Sequence, residues 1–246
     1  MKQIIINADD FGINEVVTSE IERMILAKAV SSTTVMANGV CLDEVRRFAA
    51  SHPEVSYGIH LCLSEFSSIT KSDGLYRSGL IDGNGRFIHK AVFHLPNYYD
   101  EDVCKAIIEE LNAQIDVVNS LGFQISHADS HHHVHTIYPL QNLFTQVLHK
   151  RGIDKIRLGM DFRSFRMKRH LIQWMQRVRL NSYYRSQFIT TESFASYSNG
   201  CRGCCVELMC HPGHPAKPYR DEMKLVEAKT VLKDSDVKLI TYNDLH

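Results

Sequence analysis

The sequence predicts an α/β fold, a (β/α) barrel that is distorted or incomplete, built as one domain over residues 1–246. Three observations predict it. Short apolar runs alternate with helix-period segments, which is the pattern of βα units on a parallel sheet. About eight such runs occur, close to what a barrel needs. The polar clusters follow the apolar runs instead of interrupting them. A chain of 246 residues is also of ordinary length for one barrel domain.

The first strand is QIIIN (3–7), a continuous apolar run. Residues 14–29 form a helix in this reading, with Asn14 as N-cap and Val17, Ile21, Met24 and Ile25 on one face. STTVMANG (32–39) and VSYGIHLCL (55–63) are the next strands. Between residues 104 and 121, Ile107, Ile108, Leu111, Ile115 and Val118 keep helical spacing, and Gly122 ends the pattern. QISHADS (124–130), KIRLG (155–159), FITT (188–191), CVELMCH (205–211) and VKLITY (237–242) complete the strand series.

Two stretches break the rhythm. Residues 64–101 form a long insertion after the third strand, with Gly74, Gly79, Gly83 and Gly85. Loops of this length are more often functional than decorative. Residues 163–185 are basic, with Arg163, Arg166, Lys168, Arg169, Arg177, Arg179 and Arg185, while Leu171, Met175 and Val178 hold helical spacing. A solvated basic face on a packed helix is the plainer reading; a lid or a homodimer contact is the functional one.

Charge excludes some classes of partner. Lysine plus arginine and aspartate plus glutamate number 28 each, so no global field recruits nucleic acid or an anionic membrane. The N-terminal apolar run is too short for a signal peptide, and no stretch reaches membrane-spanning length. Seven cysteines, an odd number without an export signal, suggest reduced thiols and a cytoplasmic location. CRGCC (201–205) lacks a second well-spaced pair, so loop thiols explain it better than structural zinc.

Fourteen histidines are the unusual count, and SHADSHHHVH (126–135) holds five of them. NADDFG with Asp9 and Asp10 follows the first strand, His60 closes the core of the third in GIHLCLSE, the run from Asp129 to His135 follows QISHA, and CHPGHP with His211 follows CVELM, so each sits at the C-terminal end of a predicted strand. Strand C-termini converge on one face of an α/β barrel, where active sites are built. One carboxylate and two imidazoles make a facial ligand set with open positions for water and substrate. Of two adjacent carboxylates, one can hold a cation while its neighbour meets a water, and His211 can supply a proton to a leaving group. Only one or two members of HHHVH can face such a site; the others orient the ligand or pack. Each cluster alone has a plain explanation. Asp9 and Asp10 can cap a helix, His60 can be a core histidine, HHHVH can be a polar turn, and Pro212 and Pro215 can stiffen a turn around His211.

NADDFG, GIHLCL, DSHHHVH and MCHPG, in this order over nearly the whole chain, resemble the YdjC-like carbohydrate deacetylases, which include the chito-oligosaccharide deacetylases. The resemblance implies a barrel-type fold, a divalent metal with magnesium the usual assignment, and removal of N-acetyl groups from N-acetylglucosamine-containing oligosaccharides. Carried over by position, it implies Asp9 as base, Asp10, His60 and His131 as metal ligands, and His211 as acid. Asp129, His132, His133, His135 and Arg157 stand in supporting or substrate-facing places. One departure is visible: the family often has a proline shortly after the arginine of the fifth strand, whereas Arg157 leads into Leu158, Gly159 and Met160. Arg157 is expected to orient Asp9. Ligand chemistry leans away from magnesium, because two imidazoles and a carboxylate suit zinc or a similar ion. Tyr76, Phe87, Tyr98, Tyr99 and the segment around Trp174 are expected to offer rings for stacking on sugars. The competing readings are hydrolysis of another ester or amide on the same fold, and a non-catalytic sugar-binding protein.

Overall fold

The first strand, Lys2–Phe11 (β1), runs for ten residues, and its Ile4, Ile5 and Ile6 are completely buried or nearly so. The computed structural model describes residues 2–89, 91–94, 100–158, 184–188, 205–227, 232 and 237–245. The basic run from Arg163 to Arg179, Trp174, Tyr98, Tyr99, Cys201 and Cys204 lie outside the described residues.

The further described strands are Ser32–Val35 (β2), Ser56–Leu61 (β3), Ala128–Ser130 (β4), Arg157–Leu158 (β5), Tyr184–Phe188 (β6), Cys205–Cys210 (β7) and Val237–Leu239 (β8). They pair in parallel in the order β4-β3-β2-β1-β7-β6-β5. The Ala128 amide donates to the Lys155 carbonyl at 2.9 Å, and Ala128 bridges Ile156 in parallel. The ring of seven strands therefore closes at a single bridge, which is the distorted barrel expected. The eighth strand is not a stave. β8 pairs with Lys2, Gln3 and Ile4 of β1, below the point where β2 joins at Asn7. From there the chain turns into a 3₁₀ helix, Tyr242–Asp244, closed by a capping box from Thr241. The Tyr242 ring is fully buried and stacks on His127 at 3.6 Å.

Six described helices accompany the strands: Glu15–Leu26 (α1), Leu42–Ser51 (α2), Asp73–Arg77 (α3), Glu101–Asn119 (α4), Tyr138–Lys150 (α5) and Lys217–Glu227 (α6). In α1 the Asn14 side chain accepts from the Val17 amide at 2.9 Å, and Val17, Ile21, Met24 and Ile25 are buried as the spacing predicts. α4 starts three residues before the periodic run, because Asp100 caps it by accepting from the amides of Asp102 and Val103. QISHADS contributes only its last three residues to β4, and β6 begins before FITT, of which only Phe188 is described. Among the described residues no helix is long and apolar enough to cross a membrane.

The insertion after β3 is folded. It holds α3, antiparallel bridges Ser67–Arg86 and Ile81–Phe87, and a 3₁₀ turn at Ala91–Phe93. Glu110 on α4 ties down its start by accepting from the Ile69 and Thr70 amides, both at 2.9 Å. This corrects the expectation for two rings. Phe87 is 6% exposed and packs in the core, and neither it nor Tyr76 lines the cleft described next. An apolar ring in a loop gains more by burial against Leu75, Leu80 and Ile81 than by waiting for a ligand.

Candidate active site

Side chains alternate faces along a strand, so Asp9 and Asp10 should point apart. A bulge prevents this. The β1–β2 register shifts between Ala8 and Phe11, and Asp10 takes a left-handed φ of 71°. Such a conformation is uncommon outside glycine and costs on the order of 1–3 kcal/mol, and bulges of this kind re-aim side chains beside active sites. Both carboxylates consequently line one cleft of about 1060 Å³, together with His60, His131 and His211.

Asp10, His60 and His131 form a triangle. Asp10 Oδ1 is 3.2 Å from His60 Nε2 and 3.1 Å from His131 Nδ1, and the two ring nitrogens are 3.3 Å apart. Ligands held about 2.1 Å from one ion lie roughly 3.0 Å apart in octahedral and 3.4 Å in tetrahedral geometry. The triangle fits a divalent cation. The far nitrogen of each ring also meets a carboxylate: His60 Nδ1 faces Asp129 Oδ1 at 2.6 Å, and His131 Nε2 faces Glu65 Oε2 at 3.3 Å. Pairs of this kind fix which ring nitrogen presents its lone pair to a metal. Burial opposes a charged His60 ring, yet the charge of Asp129 and hydrogen bonds to Asp10 and Asp129 hold its pKa well above the usual imidazole range. Burial would likewise raise Asp10, but hydrogen bonds from His131 and His60 hold it well below the usual carboxylate range. A proton and a cation therefore compete for the same concentrated negative charge.

Arg157, fully buried at the start of β5, sits beneath this triangle and gathers three carboxylates. Its Nη1 and Nη2 donate to the two oxygens of Asp9 at 2.6 Å each. Nε and Nη2 donate to Glu207 Oε1 at 2.8 and 2.6 Å, and Nη2 lies 2.8 Å from Asp129 Oδ2. Burial by itself would raise the Asp9 pKa; the guanidinium's charge and hydrogen bonds outweigh it and press the carboxyl far below its ordinary value. Asn7 Nδ2 adds a donor to Asp9 Oδ1 at 2.9 Å. Burial pushes Glu207 up against the pull of Arg157, and Tyr242 donates to its other oxygen at 2.7 Å. On the cleft side His211 Nε2 stands 3.8 Å from Asp9 Oδ2, and its Nδ1 faces Glu222 Oε2 on α6 at 3.4 Å. Burial lowers the His211 pKa, but the bond to Glu222 and the charge of Asp9 raise it overall.

The five histidines of SHADSHHHVH divide their work. His127 is buried and neutral, bonded through Nε2 to Asn7 Oδ1 at 3.1 Å and stacked on Tyr242. His131 completes the triangle. His132 and His133 both take left-handed φ angles, 53° and 55°, within the 3₁₀ segment His131–Thr136. His132 reaches Ser64 Oγ at the cleft mouth, 2.9 Å from its Nδ1. Burial and the neighbouring His131 ring press its pKa down to about 4. Burial brings His133, which also lines the cleft, down to about 3. His135 is buried under the site, where its Nε2 donates to the Arg157 carbonyl at 3.0 Å.

The structure thus brings together the expected Asp9, Asp10, His60, Asp129, His131, His132, His133, His135, Arg157 and His211, but not the rings of Tyr76 and Phe87. It adds Glu207, Glu222, Tyr242 and Thr34, whose hydroxyl donates to Asp129 Oδ2 at 3.1 Å, and it gives roles to Asn7 and Glu65, which lie within NADDFG and GIHLCLSE but are not singled out by them. A charged Glu207 inside the apolar run CVELM, and Glu222 on the buried side of α6, were the available signals.

Comparison with known proteins is consistent with this layout. Residues 3–243 match the YdjC-like protein family. The chain belongs to that family. YdjC-like relatives include a chitooligosaccharide deacetylase of Klebsiella pneumoniae, 29% identical over 98% of both chains. A carbohydrate deacetylase of Brevibacillus brevis is 26% identical over 99% of both. The fold is shared with a crystal structure from Enterococcus faecalis, described provisionally as a cellobiose-phosphate cleavage protein (TM-score 0.79, 24% identity, 99% of this chain and 98% of that one). It is shared more distantly with the lactam utilization protein of Thermus thermophilus (TM-score 0.53, 14% identity, 97% of this chain and 99% of that one).

Proposed function

We propose that this YdjC-like chain hydrolyses the N-acetyl group of N-acetylglucosamine-containing (chito-)oligosaccharides, releasing acetate and a free amino sugar. The observation that carries the reading is the Asp10–His60–His131 triangle with Asp9 and His211 beside it on one cleft. The names of the full-length relatives support the substrate class. A divalent cation on the triangle supplies Lewis acidity, polarising the acetyl carbonyl and making water more acidic. Asp9 accepts a proton from the attacking water. Arg157 holds that carboxylate charged and oriented, at the expense of its basicity, so it serves only where the water is acidified. His211, whose pKa is raised above the ordinary imidazole value, gives its ring proton to the amine nitrogen as the C–N bond breaks.

Magnesium is what the family resemblance implies; the two imidazoles favour zinc, cobalt, nickel or manganese, and we assign the site to that group. Metal analysis of protein purified without added metal or chelator tests this, and magnesium alone at one ion per chain would reverse it. We place the protein in the cytoplasm; the described cysteines Cys41, Cys62 and Cys210 form no disulfide. The activity is tested by assaying acetate release from a panel of acetylated mono- and oligosaccharides, chitobiose included. Asp9→Asn should keep its cation and lose roughly 10²–10⁴-fold in rate. Wild-type turnover in that variant refutes the base assignment, and no acetate from any sugar refutes the deacetylase reading.

A further inference from the structure

A second group of cation donors stands beside the same cleft, which two of its three members, Glu65 and His132, line. Glu65 follows β3, His89 lies on the insertion, and His132 follows β4; one ligand atom from each lies within 4.8 Å of the others. His89 Nδ1 is 3.0 Å from Glu65 Oε1, and His132 Nε2 is 3.9 Å from the same oxygen. Three features go beyond proximity. The donors are held from outside the group: Ser64 Oγ engages His132 Nδ1, which leaves Nε2 as the atom turned to Glu65. The backbone beside His89 is fixed by bonds from Phe87 to the Phe66 carbonyl and from Ile88 to the Leu80 carbonyl, both 2.8 Å. The spacing is also telling. The two imidazole contacts to Glu65 Oε1, 3.0 and 3.9 Å, bracket the roughly 3.4 Å between two ligands of one tetrahedral zinc-like ion. Finally, Glu65 is shared, since its Oε2 faces His131 Nε2 at 3.3 Å while Oε1 faces His89.

We propose that Glu65, His89 and His132 bind a second divalent cation of the zinc, cobalt, nickel or manganese class, coupled to the triangle through Glu65 and the His131 ring. One carboxylate and two imidazoles select that class of ion. The His89 side chain is 54% exposed and Glu65 is 34% exposed, so the ion keeps open positions toward the cleft for water or a substrate oxygen. The second site does not depend on the deacetylase reading, because it stands on donor geometry alone.

Counting bound ions tests it. Protein stripped by a chelator, dialysed against cobalt(II) and analysed by mass spectrometry and visible absorption should hold two cobalt ions per chain. His89→Ala, at an exposed position, should hold one, and His132→Gln should match it. Asp10→Asn should also hold one, with a different absorption spectrum, because a different site remains. A wild-type chain that saturates at one ion, lost in Asp10→Asn and kept in His89→Ala, overturns the second site. One ion kept in Asp10→Asn and lost in His89→Ala upholds it and overturns the triangle instead.

Discussion

Replacing Arg157 by methionine removes a guanidinium that reaches three buried carboxylates. Asp9 loses two hydrogen bonds of 2.6 Å and keeps the donor from Asn7; Glu207 loses two, and Asp129 loses a charge 2.8 Å away. All four side chains are essentially inaccessible to water, so solvent cannot screen what remains. Breaking a buried pair by removing one partner costs about 3–5 kcal/mol. In a chain of this length each kcal/mol shifts Tm by about 2–4 °C, so Arg157→Met should melt about 6–20 °C below wild type. Arg157→Lys should fall between the two, because one ammonium cannot reproduce the planar fork. The loss comes from uncompensated charge, so adding Asp9→Asn to Arg157→Met should recover part of it, with a coupling of about 0.5–3 kcal/mol. The pH dependence follows from the depressed Asp9 pKa. Its stabilisation is fully present above the ordinary value of 3.8 and is lost as pH falls towards the folded-state value. The gap between wild type and Arg157→Met should therefore be constant near neutrality and narrow in acid. Thermal unfolding followed by circular dichroism measures all of this. Equal melting temperatures at neutral pH, or a double variant no more stable than strict additivity allows, would refute the reasoning.

Three further outcomes are expected. His60→Ala and His131→Ala should each lose the triangle's cation, with bound metal counted after gel filtration; unchanged content in both would remove the ligand assignment. Glu222→Gln takes away the hydrogen bond that holds the His211 pKa up, so the high-pH limb of the rate profile should move to lower pH, and an unmoved limb would mean that His211 is not the proton donor. A Cβ at Gly58 would stand 2.5 Å from the His127 ring, which is held against Tyr242 and cannot retreat. Gly58→Ala should cost about 1–3 kcal/mol of stability, read as a lowered denaturant midpoint, and an unchanged midpoint would contradict the packing beneath the barrel.

The barrel and the address of the site were legible in the sequence for one reason. Apolar runs set the strands, and the polar residues at their C-terminal ends, Asp9, His60, Asp129 and His211, must meet where parallel strands end. The capped α1 was equally local, since Asn14 and its bond partner Val17 are three residues apart. Other features had no local signature. That VKLITY lies below β2 and is not the eighth stave follows from its pairing with Lys2, Gln3 and Ile4, which its own composition does not encode. Glu110 and Gln114, four residues apart on the buried face of α4, were visible as polar letters in a helical stripe, but their role in pinning the insertion needed the fold.

The sequence by itself determined that Asp9, Asp10, His60, His131 and His211 share the cleft and which chemistry those groups can carry. Tertiary structure decided how Asp9 and Asp10 come to face the same way, which of the five clustered histidines completes the triangle, and what holds each charge. Arg157 and Asp9 are 148 positions apart in the chain and 2.6 Å apart in space. Hydrogen bonds and screened charges act over a few ångströms, so the pairing that sets the state of each carboxylate exists only once the ring of strands has closed.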